Sequence, residues 1–235
     1  MQSWSIIIFC YNEVNTIQSV VGESDDVLNT ISGNDKEVII IDDGSTDGST
    51  EIIRKLEQEN PLIKAIFHQK NMGIGAALKS GYNIASKENV CAIPADGQFD
   101  IEELLKINQL DPKSFISFYR SENTIYSVSR NGLSLANKFI NKIFLGVNLK
   151  DINWVKVYNR EILQNLRLKM NSSIVESEIC AKMIINGYKP IEIESKYLPR
   201  EKGVSKGASG KIILQAVKET LKLLFVVNMY RKNSG

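Results

Sequence analysis

With 235 residues, 43% of them apolar and 24% charged, the chain can bury a substantial core and has the make-up of a soluble globular protein. Its 29 Lys and Arg against 27 Asp and Glu leave a net charge of +2, too balanced to argue for nucleic acid. Cys10, Cys91 and Cys180 are widely spaced and odd in number, and His68 is the sole histidine; this argues against a zinc site, a disulfide framework or a histidine-centred metal site, and points to a reducing compartment.

The chain opens on an apolar strand, Trp4 to Phe9, with no basic region or long apolar run ahead of it, so its start does not read as a signal peptide. No window reaches the roughly 18 apolar residues that a membrane-spanning helix needs. The strand runs into Cys10-Tyr11-Asn12-Glu13. Val14, Ile17, Val20 and Val21 then predict a helix, Gly22 to Asp26 a polar link, and Val27, Leu28 and Ile31 a second short helix. Val38 to Ile41 is a β-branched run that predicts a strand buried on both faces. Asp42 and Asp43 stand at its carboxyl end, where open α/β sheets place their ligands. Gly44 lets the chain turn, and Ser45, Thr46 or Asp47 can cap a helix from about Glu51 to Glu59. The same residues also suit an ordinary strand-to-helix turn.

A strand at Ile63 to Phe67 leads to the loop Gln69-Lys70-Asn71-Met72-Gly73-Ile74-Gly75 and a helix with a small-residue face at Ala76, Ala77, Leu78 and Gly81. Gly73-x-Gly75 resembles the start of a dinucleotide fingerprint, but Leu78 stands where its third glycine belongs. A strand at Val90 to Ile93 runs into Pro94-Ala95-Asp96-Gly97-Gln98, where Asp96 and Gln98 set two hard oxygen ligands two residues apart on a tight turn. Asp100 is also a candidate N-cap for the segment carrying Leu104, Leu105 and Ile107. Strand and helix alternate throughout this half, which argues an α/β, doubly wound, mostly parallel sheet.

Beyond Asp111-Pro112 the reading is a strand from Phe115 to Tyr119 followed by Arg120, and a helix with Leu133, Leu135, Phe139, Ile140 and Ile143. A strand opened by Asp151 and a helix begun at Asn159-Arg160-Glu161 come next. A helix from Ser173 to Asn186 has Gly187 as its C′ residue, and a strand spans Pro190 to Tyr197. The loop from Leu198 to Gly207 is basic and glycine-bearing, suited to anions or to service as a plain linker. The last helix, from about Lys211 to Tyr230, carries Lys211, Gln215, Lys218 and Lys222 on one stripe of an otherwise apolar surface. That pattern fits a membrane interface and equally a helix packed on the body or on another subunit. The division expected is one main domain over residues 1–210 and an amphipathic helix and tail over 211–235.

Six motifs in this order resemble those of the family-2, GT-A-fold glycosyltransferases, and in particular the dolichol-phosphate mannose synthase-like branch. They are Phe9-Cys10-Tyr11-Asn12-Glu13, Ile41-Asp42-Asp43-Gly44-Ser45-Thr46-Asp47, Asn71-x-Gly73-x-Gly75-x-Ala77, Pro94-Ala95-Asp96-Gly97-Gln98, Asp151-x-x-x-Val155-Lys156 and Pro199-Arg200-x-x-Gly203-x-Ser205-Lys206. The resemblance implies an inverting enzyme that transfers a sugar from a UDP or GDP sugar to a polyprenyl phosphate, assisted by Mg²⁺ or Mn²⁺, in the cytoplasm or peripherally on the inner face of a membrane. It assigns Phe9, Tyr11, Glu13, Asp42, Asp43, Asn71, Gly73, Ala77, Asp96 and Lys206 to the nucleotide sugar and Asp96 and Gln98 to the metal. Arg120, Arg130, Arg200 and Ser205 fall to the acceptor, and Asp151, Asp96 and Arg200 to catalysis. A phosphate acceptor is already a nucleophile, whereas the alternative, a saccharide acceptor as in capsule or lipopolysaccharide assembly or a lipid-linked saccharide, would need Asp151 as base. Pro94 departs from the family, which carries a metal-binding Asp there; this opens the alternative of a nucleotide-sugar-binding relative without catalysis. Phe9 departs too, standing where the family has proline.

Overall fold

The computed structural model describes residues 2–120, 138–199 and 210–234, with side chains in the last segment described from 218 to 233. A seven-stranded sheet with the order β3-β2-β1-β4-β6-β5-β7 forms its centre. The strands are β1 (Trp4–Cys10), β2 (Lys36–Asp42), β3 (Ile63–Phe67), β4 (Asn89–Pro94), β5 (Ser114–Arg120), β6 (Lys156–Asn159) and β7 (Lys189–Ser195). β1 pairs in parallel with β2 and β4, β2 with β3, and β5 with β7; β6 alone is antiparallel, to both β4 and β5. All strands except β6 therefore point the same way. Their carboxyl ends, together with the amino end of β6, share one edge.

Helices α1 (Ile17–Ile31), α2 (Ser49–Glu59), α3 (Ile74–Ile84), α4 (Arg160–Asn165), α5 (Val175–Ile185) and α6 (Gly210–Ser234) flank the sheet, with a 3₁₀ turn at Ile101–Lys106 and a π-helical turn at Asn141–Leu145. Period-2 alternation in the strands makes two cores. Ile6, Ile8, Val38, Ile40 and Ile93 pack on one face with α1; Ile7, Ile39, Ile41 and Ala92 pack on the other with α3, α5, and Leu223 and Val227 of α6. Each buried Ile, Val or Leu side chain contributes about 1.5–3 kcal/mol by leaving water. α3 sits on β1 because Gly81 has no side chain: a Cβ there would lie 2.4 Å from Ile7 Cγ2. α5 carries a buried ion pair, Lys182 Nζ to Glu178 Oε1 at 2.6 Å, whose carboxylate also accepts the N–H groups of Lys169 and Met170.

Four expectations are corrected. The polar link at Gly22 to Asp26 is helical, and α1 is continuous, since Ser24 keeps the buried period between Val21 and Val27 and satisfies its hydroxyl on the Val20 carbonyl. The residue at the α2 N-cap is Gly48, with φ of 101°. Asp47 still serves that end, accepting the Ser49 N–H at 3.0 Å. Asp151 opens a turn, accepting the Asn153 N–H, and the strand begins only at Lys156. Tyr197 lies beyond β7, in a lone bridge to Phe99. Leu133, Leu135, Arg130, Arg200, Ser205, Lys206 and the side chains of Lys211 and Gln215 lie outside what is described. Among the described residues, no helix is long and apolar enough to cross a membrane.

Candidate active site

The sheet order reverses between β1 and β4, a topological switch of the kind that opens a crevice at strand carboxyl ends. Phe9 pairs with Pro94 across this point, and the Phe9 carbonyl accepts the Ala95 N–H at 3.1 Å. The turn carrying Asp96 therefore lies against the end of β1. Proline at 94 leaves this pairing intact, because in the parallel register the donor to the Phe9 carbonyl is Ala95, and β6 pairs with β4 only as far as Cys91.

The β1 and β2 ends are laced together. Asn12, in the left-handed region at φ 59°, gives its N–H to Ser45 Oγ at 3.0 Å and takes the Thr46 N–H on Oδ1 at 2.8 Å. Glu13 N–H donates to Ser49 Oγ, and Val14 N–H to Asp47 Oδ2, both at 3.0 Å. Burial pushes the Asp47 carboxyl up, but the hydrogen bonds from Ser49 and Val14 outweigh it and hold the carboxyl below its ordinary value.

The paired aspartates have separate work. Asp42, 1% exposed, accepts the Ser45 N–H and the Thr50 hydroxyl and so folds its own turn. Asp43, 4% exposed, reaches across to the β3–α3 loop: it accepts the N–H groups of Met72 at 2.9 Å and Gly73 at 2.8 Å, and lies 2.7 Å from His68 Nδ1. His68 Nε2 is in turn 2.9 Å from Ser80 Oγ. Gly44 is required between these contacts, since a Cβ on it would lie 2.6 Å from the Lys70 backbone. Of the loop residues, Asn71 is exposed and Gly73 caps α3, while Ala77 is 1% exposed in the core beneath. Tyr11 and Glu13 are half-buried at the β1 end.

Asp96 and Gln98 are half-buried on one turn, with Asp96 Oδ1 accepting the Gln98 N–H at 3.1 Å. Among the described residues no group of three or more His, Cys, Asp or Glu could cage a metal. One carboxylate and one amide oxygen suit a hard divalent cation that keeps water and takes further oxygens from a diphosphate, so the donor set fits Mg²⁺ or Mn²⁺.

Across the same edge, Arg120 at the end of β5 pairs with Asp151, Nε to Oδ2 at 2.7 Å. The guanidinium lies 4.6 Å from the Trp154 ring and 5.7 Å from that of Tyr197, and the two rings are 5.7 Å apart. Trp154 Nε1 donates to Ser195 Oγ at 2.9 Å, and Gln98 Nε2 donates to the Tyr197 hydroxyl. Lys156 of the same motif turns inward: it is 3% exposed, and Nζ donates to the Ile152 and Trp154 carbonyls. Sequence reasoning missed Trp154, Tyr197 and His68. The signal available was adjacency: Trp154 falls inside the Asp151 motif, and Tyr197 shortly precedes Pro199-Arg200.

A family model described as "Glycosyl transferase family 2" matches residues 5–166. Polyprenol monophosphomannose synthase of Mycolicibacterium smegmatis is 26% identical over 226 residues, covering 90% of this chain and 83% of that one. Cholesterol galactosyltransferase of Borreliella burgdorferi is 41% identical over 101 residues, which cover 43% of this chain and 26% of its own length. A mannosyltransferase from Pyrobaculum calidifontis, solved with GDP-Man and Mn²⁺, shares the fold with a TM-score of 0.60 at 16% identity, covering 99% of this chain and 74% of that one.

Proposed function

The chain belongs to glycosyltransferase family 2, and on that premise we propose that it transfers a sugar from a nucleoside diphosphate sugar to a polyprenyl phosphate, inverting the anomeric carbon. The observation that carries this reading is the shared edge: the Asp96–Gln98 turn and the Arg120–Asp151 pair stand together at the carboxyl ends of the strands. A relative matching 90% of the chain bears the name of a polyprenol monophosphomannose synthase, which supports the acceptor class.

In this reading the nucleotide lies over the β1–β2 lacing, near Tyr11, Glu13 and Asn71, while Asp42 and Asp43 act by holding that surface in shape. Asp96 and Gln98 would hold Mg²⁺ or Mn²⁺, which when bound neutralises charge developing on the leaving diphosphate. An acceptor phosphate oxygen attacks the anomeric carbon as the bond to the diphosphate breaks, and the electron pair leaves with the nucleotide. No proton need be removed. Arg120, with Arg130, Arg200, Ser205 and Lys206, supplies cationic and polar groups to the two phosphates, stabilising the transition state more than the ground state.

A hydroxyl acceptor is the second reading, favoured by the 41% identity to a cholesterol galactosyltransferase; Asp151 would then take the hydroxyl proton. For a lipid acceptor the exposed face of α6 is apt. Leu221, Phe225 and Met229 form a stripe with Lys218 and Lys222; Ile143 and Phe144 are exposed on the π-helical turn that α6 packs against, and Phe139 is exposed just before it. Apolar side chains flanked by lysines suit the cytoplasmic, anionic surface of a membrane.

The test is thermal unfolding of the full chain with UDP, GDP or CMP, with and without Mn²⁺. Ligand at a hundred times its Kd adds about 2.7 kcal/mol, roughly 5–10 °C for a chain of this size. A shift with UDP or GDP that requires Mn²⁺ supports the reading. A shift indifferent to metal contradicts the metal site, and no shift with any nucleotide contradicts the donor.

A further inference from the structure

The turn that carries Gln98 and the pair that carries Asp151 are joined through Tyr197. Tyr197 accepts the Gln98 amide N–H on its hydroxyl, while its ring lies 5.7 Å from both the Trp154 ring and the Arg120 guanidinium. Its backbone is fixed to the same turn, in a bridge with Phe99, and the Leu198 N–H donates to the Gln98 carbonyl at 3.0 Å. Trp154 adds a second tie, its ring 5.9 Å from that of Phe99. The chain enters Pro199-Arg200 immediately afterwards.

A glutamine can ligate a hard cation only through Oε1, since its nitrogen carries two hydrogens and no available lone pair. A hydrogen bond that engages Nε2 therefore decides which end of the amide faces a cation. With Pro94 in place of a carboxylate, that neutral oxygen is a large share of the protein's own donor set. Resting on the metal-assisted transfer proposed above, we propose that Tyr197 is a positioning residue. Its hydroxyl fixes the Gln98 amide with Oε1 as metal ligand, and its ring holds that turn in register with the Arg120–Asp151 pair. Residues that orient metal ligands in this way change metal affinity by about 10–100-fold when removed.

The experiment is calorimetric titration of Mn²⁺ into the full chain saturated with UDP or GDP, whichever shifts unfolding more. Tyr197→Phe keeps the ring and removes only the hydroxyl. It should raise the Mn²⁺ Kd by about tenfold or more, as Gln98→Ala should, and change Tm little. In the Gln98→Ala background the same substitution should change the Kd less than about twofold, because the group it orients is gone. A wild-type Kd in Tyr197→Phe, with Gln98→Ala weakened, overturns the proposal and leaves the proposed function standing. So does an equal loss from Tyr197→Phe in both backgrounds. A wild-type chain that binds nucleotide without any Mn²⁺ dependence removes the metal-assisted reading itself, and the role of Tyr197 with it.

Discussion

Arg120 and Asp151 are 31 positions apart and meet as an ion pair of 2.7 Å, Nε to Oδ2, at the edge of the sheet where the strands end. The pair joins the residue proposed to receive an acceptor phosphate to the residue proposed to receive an acceptor proton. A phosphate acceptor calls on Arg120 alone of the two, a hydroxyl acceptor on Asp151 as well.

Asp151→Asn separates the two acceptor classes. The amide keeps an oxygen that can accept from Arg120 but cannot take a proton at neutral pH. With a polyprenyl phosphate acceptor, kcat/KM should fall within about tenfold; with a hydroxyl acceptor it should fall about 10²–10⁴-fold, the usual contribution of a general base.

Asp43→Asn tests whether the second aspartate acts by shaping the loop. Its carboxylate takes the Met72 and Gly73 N–H groups and meets His68, so an amide must turn a donor toward one of them. The expected result is a loss of about 1–3 kcal/mol in denaturant unfolding, together with weaker nucleotide binding. Unchanged stability with lost nucleotide binding would instead mark Asp43 as a direct ligand.

Glu37 sets an acid limit on the fold. Burial pushes its carboxyl up, but the hydrogen bonds from Lys64, Ser5 and Ser86 outweigh this and hold it below its ordinary value of 4.5. A carboxyl depressed in the folded state stabilises above its unfolded value, and that stability is lost as pH falls through the folded one. Stability should therefore decline below about pH 4.5, and Glu37→Gln should flatten that decline in unfolding curves taken from pH 6 to pH 3.

Phe225→Glu with Phe144→Glu should weaken sedimentation with vesicles of mixed neutral and anionic lipid, since both rings are more than half exposed beside lysines. Activity on a short-chain, water-soluble acceptor should stay near that of the unaltered chain. Equal vesicle binding by both forms would leave the apolar face to another partner.

Where chemistry is local, the sequence was a good guide. β3 runs from Ile63 to Phe67 as its apolar run predicts, Asp100 caps the Glu102 N–H, and Gly187 ends α5 with φ of 88°. The small-residue face of α3 is explained by the contact of Gly81 with Ile7. Local polarity misled where tertiary burial decided: Ser24 is polar in composition but lies in the core side of α1, so the helix does not break. The site was legible as a set of strand ends and not as a network. Asp43 to Gly73, Gln98 to Tyr197 and Arg120 to Asp151 are contacts over 30, 99 and 31 positions, fixed by strand order and not by spacing.

The most direct test is transfer itself: labelled UDP- and GDP-sugars offered to the full chain with Mn²⁺, using undecaprenyl phosphate and a sterol or saccharide hydroxyl as parallel acceptors. The account predicts label in the lipid phosphate, dependent on Mn²⁺ and lost in Asp96→Ala. Label entering only the hydroxyl acceptor, or none entering either from a folded, nucleotide-binding protein, would contradict it.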